Sequence, residues 1–263
     1  MKSVNNIPID NAIKQFIRWV ADLIVDVHAH IGIFKYGLTR SMTAKGLVKL
    51  MDEAGVDRAV ISQLSLKMTE DNESVSKAVD EFPDRLLGFA HIDPRDSKTA
   101  LKELDRSINT LGLVGVKMHS NFDHFVPWDK NVFELMERIE DYRLPVLFHT
   151  GEELSRPLQI AYVAKHFPKI PVILGHMGLW VAIESIPAAK LSDNIYLETS
   201  IQGEIPALEE AVKELGAERI LFGTDTPFSA YTVEMAKIEA LDIPEEDKRK
   251  ILGRNALKLL NIN

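Results

Sequence analysis

Cysteine is absent from the 263-residue chain, which excludes disulfides, thiolate zinc fingers, iron–sulfur clusters and a cysteine nucleophile. Basic residues are in deficit: 31 Lys and Arg stand against 39 Asp and Glu, for a formal charge of −8. That balance argues against a nucleic-acid or anionic-membrane binder, because neutralising phosphates needs a basic surface. A local basic pocket remains compatible with it. No run of about 18 apolar residues occurs, so no membrane-spanning helix is expected. Met1 to Leu23 is interrupted by Asn5, Asn6, Asp10, Asn11, Lys14, Gln15, Arg18 and Asp22 and lacks the apolar core of a signal peptide. The expectation is a soluble cytoplasmic protein. What is present, 46% hydrophobic and 27% charged residues, is enough for a substantial core and too apolar for disorder.

Short β-branched runs recur along the chain, beginning near Ile24, Arg58, Leu86, Leu113, Pro145, Pro171, Asn194 and Arg219. Most are almost continuously apolar, as parallel strands buried on both faces require. Segments of helical period lie between them. Leu47, Leu50, Met51 and Ala54 form one stripe closed by Gly55; Val132, Leu135, Met136 and Ile139 form another, with Asp129 as its N-cap. Intervals of roughly 23–34 residues fit one strand and one helix each, and eight such units make a (β/α)8 TIM barrel. A doubly wound open sheet is the alternative, but no G-x-G-x-x-G follows the first strand. Residues 1–263 read as a single domain. Ile13, Phe16, Ile17 and Val20 predict an extra N-terminal helix within residues 1–23, and the tail from Pro244 predicts a closing C-terminal helix broken near Gly253.

Active sites of such barrels are built at the C-terminal ends of the strands. Of the eight histidines, His28, His30, His91, His119, His149 and His176 fall at strand ends, and only His124 and His166 lie elsewhere. His28 and His30, two apart on a strand, point to one face and start a divalent metal site, with Asp26 on that face one step deeper as a support. His149 ends the fifth strand, His176 the sixth and Asp225 the eighth. A lone strand-end histidine is usually structural, and Asp225 before Thr226-Pro227 would serve as a turn cap. Taken jointly the constellation points to a metal.

In order along the chain, DVHAH, GVKMH, PVLFHTG, ILGHMG, YLETS, FGTDTPF and ILGRNALKLL resemble the metal-dependent amidohydrolase superfamily, in the branch that includes aminocarboxymuconate-semialdehyde decarboxylase and related small hydrolases. The resemblance implies a barrel that holds its metal with His28, His30, His149 and Asp225, with His176 beside the bound water or substrate, and it implies a homodimer. Asp225 and His176 are then the catalytic pair, one moving the proton and the other stabilising developing charge. An all nitrogen and oxygen ligand set makes zinc the expected ion, one per site, with manganese, iron, cobalt and nickel as alternatives. Lys117 shares a strand face with Gly115 and His119. It is either a carboxylated bridge between two metals, a contact for a substrate oxyanion, or the partner of an acidic group inside the barrel.

His119, His91, Arg95 and Trp128 are candidate substrate contacts at the mouth. Arg95 equally suits an ion pair with Asp93 or Asp96, and the aromatics Phe122, Phe125 and Trp128 equally suit packing on the next helix. Glu152, Glu198, Thr199, Phe228 and Tyr231 are further mouth-lining candidates. The expected activity is hydrolysis of a C–N or C–O bond in a small amide, lactone or ester. The alternative is a carboxy-lyase acting on a small unsaturated acid. A DNase of the TatD type would place a glutamate where Lys117 stands, and a non-catalytic barrel would have lost ligands that are all present here.

Overall fold

The computed structural model describes residues 23–36, 38–65 and 67–262. The helix expected within residues 1–23 lies outside them, apart from Leu23. In chain order the strands are β1 (Val25–His30), β2 (Gly32–Tyr36), β3 (Leu38–Met42), β4 (Arg58–Ser62), β5 (Leu86–His91), β6 (Gly115–Met118), β7 (Val146–His149), β8 (Val172–Gly175), β9 (Ile195–Glu198) and β10 (Ile220–Leu221). All but β2 and β3 form one parallel eight-stranded sheet in the order β1-β4-β5-β6-β7-β8-β9-β10. Each barrel strand coincides with one of the eight predicted runs. Backbone hydrogen bonds close the circle between the first and last strands: Val27 N donates to Phe222 O at 3.0 Å and His30 N to Thr226 O at 2.7 Å.

Two apolar layers follow from the alternation of strand side chains. Val25, Val27, Val60, Phe89, Leu147, Ile173 and Leu221 fill the barrel interior, packed from below by Ala256, Leu257 and Leu260 of the C-terminal helix. The outward set packs on the helices. Helix Lys130–Tyr142 buries the four predicted residues Val132, Leu135, Met136 and Ile139, and the Asp129 carboxylate caps it by accepting from Asn131 N. Helix Ala44–Ala54 ends at Gly55 with φ 78°, which suits glycine. The C-terminal tail is not broken at Gly253; Glu245–Arg249 passes through a wide π turn, Lys250–Arg254, into Asn255–Leu260. Gly253 is needed there because a Cβ would collide with the Leu23 carbonyl oxygen.

Two features matter for the site. β1 carries a bulge: Asp26 pairs with Ala59 and Ala29 with Ile61, so Val27 and His28 together oppose a single residue of β4. A bulge re-aims the side chains around it. Asp26 therefore does not share a face with His28 and His30, contrary to the expectation from strict alternation. The β2–β3 hairpin, which has no counterpart in the sequence reading, rises directly from the end of β1, and its Phe34 is buried against the mouth.

Candidate metal centre

The loop after β10 folds Asp225 back across the end of β1, where Asp225 N donates to His28 O at 2.6 Å. Asp225 takes a φ of 55°, a left-handed conformation that aspartate tolerates better than most residues. Its Oδ1 lies 2.9 Å from His30 Nε2 and 3.5 Å from His28 Nε2, and the two imidazole nitrogens are 3.2 Å apart. Lys117 Nζ reaches in from β6 to 2.8 Å from His28 Nε2. All four side chains are buried.

His28 Nδ1 faces Glu198 Oε2 at 2.9 Å. An ionised carboxylate only accepts, so the ring proton sits on Nδ1 and Nε2 turns its lone pair to the centre. Burial, reinforced by the Lys117 ammonium, pushes the His28 imidazole well below its ordinary value. Burial also brings Lys117 down to about 8. Burial alone would raise the Asp225 carboxyl, but the imidazoles of His176, His28 and His30 outweigh it and hold it well below the usual carboxylate range. Neutral imidazole and ionised carboxylate are the forms that bind metal. This donor set, within reach of a single point, fits a divalent cation.

The sixth-strand histidine stands next to this group. His176 lies 4.9 Å from the His28 ring between centroids, and its Nε2 is 3.1 Å from His149 Nδ1. His149 stacks face to face on His119, with centroids 3.8 Å apart and planes 11° from parallel. Burial lowers the pKa of all three rings. The ring nitrogens of His149 thus face His176 and Glu152, and it is His28, His30 and Asp225 that meet most closely. A cavity of about 480 Å³ opens above, walled by Phe34, Leu64, Phe122, Ile201 and Phe228 and floored by the residues just described, Lys117 included.

Three of the four candidate substrate contacts lie elsewhere, and of the further mouth candidates Glu198, Thr199 and Tyr231 do not line the cavity either. His91 is buried behind the wall, with Nε2 2.9 Å from Asp123 Oδ2 and Nδ1 3.9 Å from Asp71 Oδ2. Arg95 folds its guanidinium onto Asp93 at 2.6 Å, and Trp128 points to solvent. None of the three lines the cavity, whereas His119 does. Asp26 accepts from His28 N at 2.9 Å, Thr224 N at 3.1 Å and Thr224 Oγ1 at 2.6 Å, so it ties the bulge to the Asp225 loop through the backbone. Burial raises it to about 7. His166 bonds the Tyr162 carbonyl at 2.8 Å at its helix end. The sequence reading overlooked Ser62, 3.0 Å from His30 Nδ1, and Ser200. It placed Glu198 among general mouth residues, although its carboxylate is fully buried. The position of Glu198 at the last residue of a strand was the available signal.

A model of the amidohydrolase family matches residues 25–262. The chain belongs to the amidohydrolase family. This amidohydrolase is 27% identical over 282 residues to the gamma-resorcylate decarboxylase of Polaromonas sp. (strain JS666), covering 82% of this chain and 86% of that protein. It is 22% identical over 236 residues to the 2-amino-3-carboxymuconate-6-semialdehyde decarboxylase of Dictyostelium discoideum, covering 73% and 66% respectively. Among solved structures, a dihydroxybenzoic acid decarboxylase from Polaromonas sp. JS666 with bound manganese and the inhibitor 2-nitroresorcinol shares the fold, with a TM-score of 0.74 at 20% identity over 91% of this chain and 97% of that one. Both curated relatives are decarboxylases. That overturns the expectation of a hydrolase and favours the carboxy-lyase alternative. The donor set fits a divalent metal, and nothing in it singles out zinc. Among the described residues no helix is long and apolar enough to cross a membrane.

Proposed function

We propose that this amidohydrolase is a metal-dependent carboxy-lyase that removes carbon dioxide from a small hydroxylated aromatic acid. The observation that carries the reading is the buried Lys117 ammonium beside two imidazole nitrogens and Asp225, at the floor of an aromatic-walled cavity. Its support from outside the chain is the decarboxylase names of the curated relatives. His28, His30 and Asp225, joined by His149 from the facing strand, would hold the ion, manganese or zinc. A cation held there would supply positive charge and Lewis acidity at the cavity floor.

The chain's own groups supply the rest. Phe34 and Phe228 meet edge to face with centroids 5.1 Å apart, a wall that receives a flat ring. A cavity of about 480 Å³ suits a single substituted ring. Lys117 pairs with the anionic oxygens at the cavity floor, beside the neutral His176 ring. Asp225 takes the proton of the substrate hydroxyl next to the carboxylate and delivers it to the ring carbon that bears the carboxylate. The C–C bond then breaks, its electron pair restores the aromatic ring, and carbon dioxide leaves. The phenolate product takes a proton from water, which balances the reaction. A buried, water-poor floor strengthens each of these charge interactions.

Protein reconstituted with Mn²⁺ or Zn²⁺ is to be given a panel of ortho-hydroxybenzoates, open-chain unsaturated acids, lactones and aryl amides. Carbon dioxide release from a hydroxybenzoate, abolished by chelation and restored by metal, is the expected result. Turnover of a lactone or amide with no carbon dioxide from any acid would overturn the reading.

A further inference from the structure

We propose that Glu198 is a positioning residue that sets the ring protons of three histidines at once, holding His28, His176 and His149 in the Nδ1–H form so that His28 and His149 keep Nε2 as a free lone pair. The link to metal binding rests on the metal reading above; the proton positions do not.

The chain of donors runs in one direction. Glu198 Oε2 lies 2.9 Å from His28 Nδ1, accepts from His176 N at 3.0 Å and accepts from Ser200 Oγ at 2.8 Å, while its Oε1 accepts from Ser200 N. His28 therefore carries its proton on Nδ1. Ser200 has one hydroxyl proton, and the carboxylate takes it. The Ser200 oxygen, 2.8 Å from His176 Nδ1, is left as an acceptor, so His176 too is protonated on Nδ1. His176 Nε2 then offers a lone pair at 3.1 Å to His149 Nδ1, which must supply the hydrogen. The consequence falls on His149 Nε2: it becomes a bare lone pair. That atom is buried with no hydrogen-bond partner, although Glu152 Oε2 is only 3.4 Å away.

The fold makes room for the arrangement. A Cβ on Gly223 would collide with Glu198 Oε1, so the glycine of FGTD lets the carboxylate lie across the end of β10. Carboxylates behind metal-binding imidazoles commonly fix both tautomer and ring orientation. Here one carboxylate acts directly on the first-strand ring and, through a serine, on two more.

The test uses the full chain, freed of metal with a chelator and labelled with ¹⁵N-histidine, and reads each tautomer from long-range ¹H–¹⁵N correlations. Wild type is expected to show Nδ1–H at His28, His176 and His149. Ser200→Ala is expected to move the His176 and His149 signals towards the Nε2–H form and leave His28 in place, which a general packing defect would not do. Glu198→Gln is expected to disturb all three, with Glu198→Asp restoring at least His28. Nε2–H at His176 in wild type, or a Ser200→Ala spectrum identical to wild type, would overturn the proposal. Calorimetric titration with Mn²⁺ separates the two readings: a loss of affinity of about 10–100-fold in Glu198→Gln supports both. A wild type with the stated tautomers that takes up no Mn²⁺ would refute the metal reading and leave the relay standing.

Discussion

Two groups of buried histidines sit side by side in this barrel and end in opposite charge states. His91 lies between Asp71 and Asp123; burial acts downwards on it, but the two carboxylates outweigh that and push it up to about 9. His28 and His176 are just as enclosed, His119 and His149 are half-buried, and burial drives all four down. Residue type matches and burial acts downwards on every ring, so neither explains the difference. The ratio of anions to rings does. His91 has two carboxylates to itself, whereas the five rings of the centre share Asp225, Glu198 and Glu152 with a lysine ammonium in the middle. A histidine becomes a cation where carboxylates are in excess and stays a neutral ligand where rings are in excess. The first arrangement is a strut and the second has the donor set of a metal site.

The comparison breaks hardest at Asp225. Asp225→Asn keeps the shape of the side chain but removes the proposed metal-binding oxygen and the proposed proton carrier together, so the carbon dioxide release rate is expected to fall by about 10⁴-fold. Bound metal, measured on the same sample by elemental analysis, should fall with it. Retained turnover would show that the proton travels by another group. The fold should survive, since Asp225 N, not the side chain, bonds to His28 O.

The strut responds differently. His91→Gln leaves Asp71 and Asp123 enclosed with no cation between them, which is expected to cost about 3 kcal/mol of stability. Metal content should not change. Because the folded pKa of His91, about 9, lies above the ordinary 6.5, its stabilisation is complete below 6.5 and is lost as pH rises through 9. Urea midpoints of wild type and variant should therefore lie furthest apart on the acid side of 6.5 and converge above 9. A separation constant across that range would mean that His91 is held neutral and that the contrast drawn above is false.

The barrel itself was legible because strands buried on both faces leave unbroken apolar runs, and the histidines that gather at its mouth because they fall at or near the ends of such runs. What escaped depended on partners distant in sequence. Strict alternation put Asp26 on the face of His28, but the bulge in β1 gives the strand an extra residue there. Strand-end position put His91 at the mouth; Asp71 from the preceding helix and Asp123 from the following loop turn it into the wall. Glu198 is the one acidic residue of YLETS and carries no sign of a partner there; only the closed barrel sets it against His28, His176 and Ser200 together. The hairpin that carries Phe34 has too little apolar surface of its own to announce itself.

The smallest expected effect sharpens what the mouth requires of a cation. Arg95 and Lys117 both looked able to receive a substrate carboxylate. Arg95 already spends its fork on Asp93, with Nε 3.0 Å from both carboxylate oxygens and Nη2 2.6 Å from one of them, and it is half exposed. A guanidinium so engaged has little left to offer, and water screens what remains. Lys117, by contrast, is buried and hydrogen-bonds an imidazole, so the charge it brings to the cavity floor is not cancelled by direct carboxylate contact. Arg95→Ala is accordingly expected to change kcat/KM for the acid by under about twofold. A tenfold loss in KM alone would mean that the loop from His91 to Arg95 turns inward when substrate binds, and that the boundary between strut and centre moves during turnover.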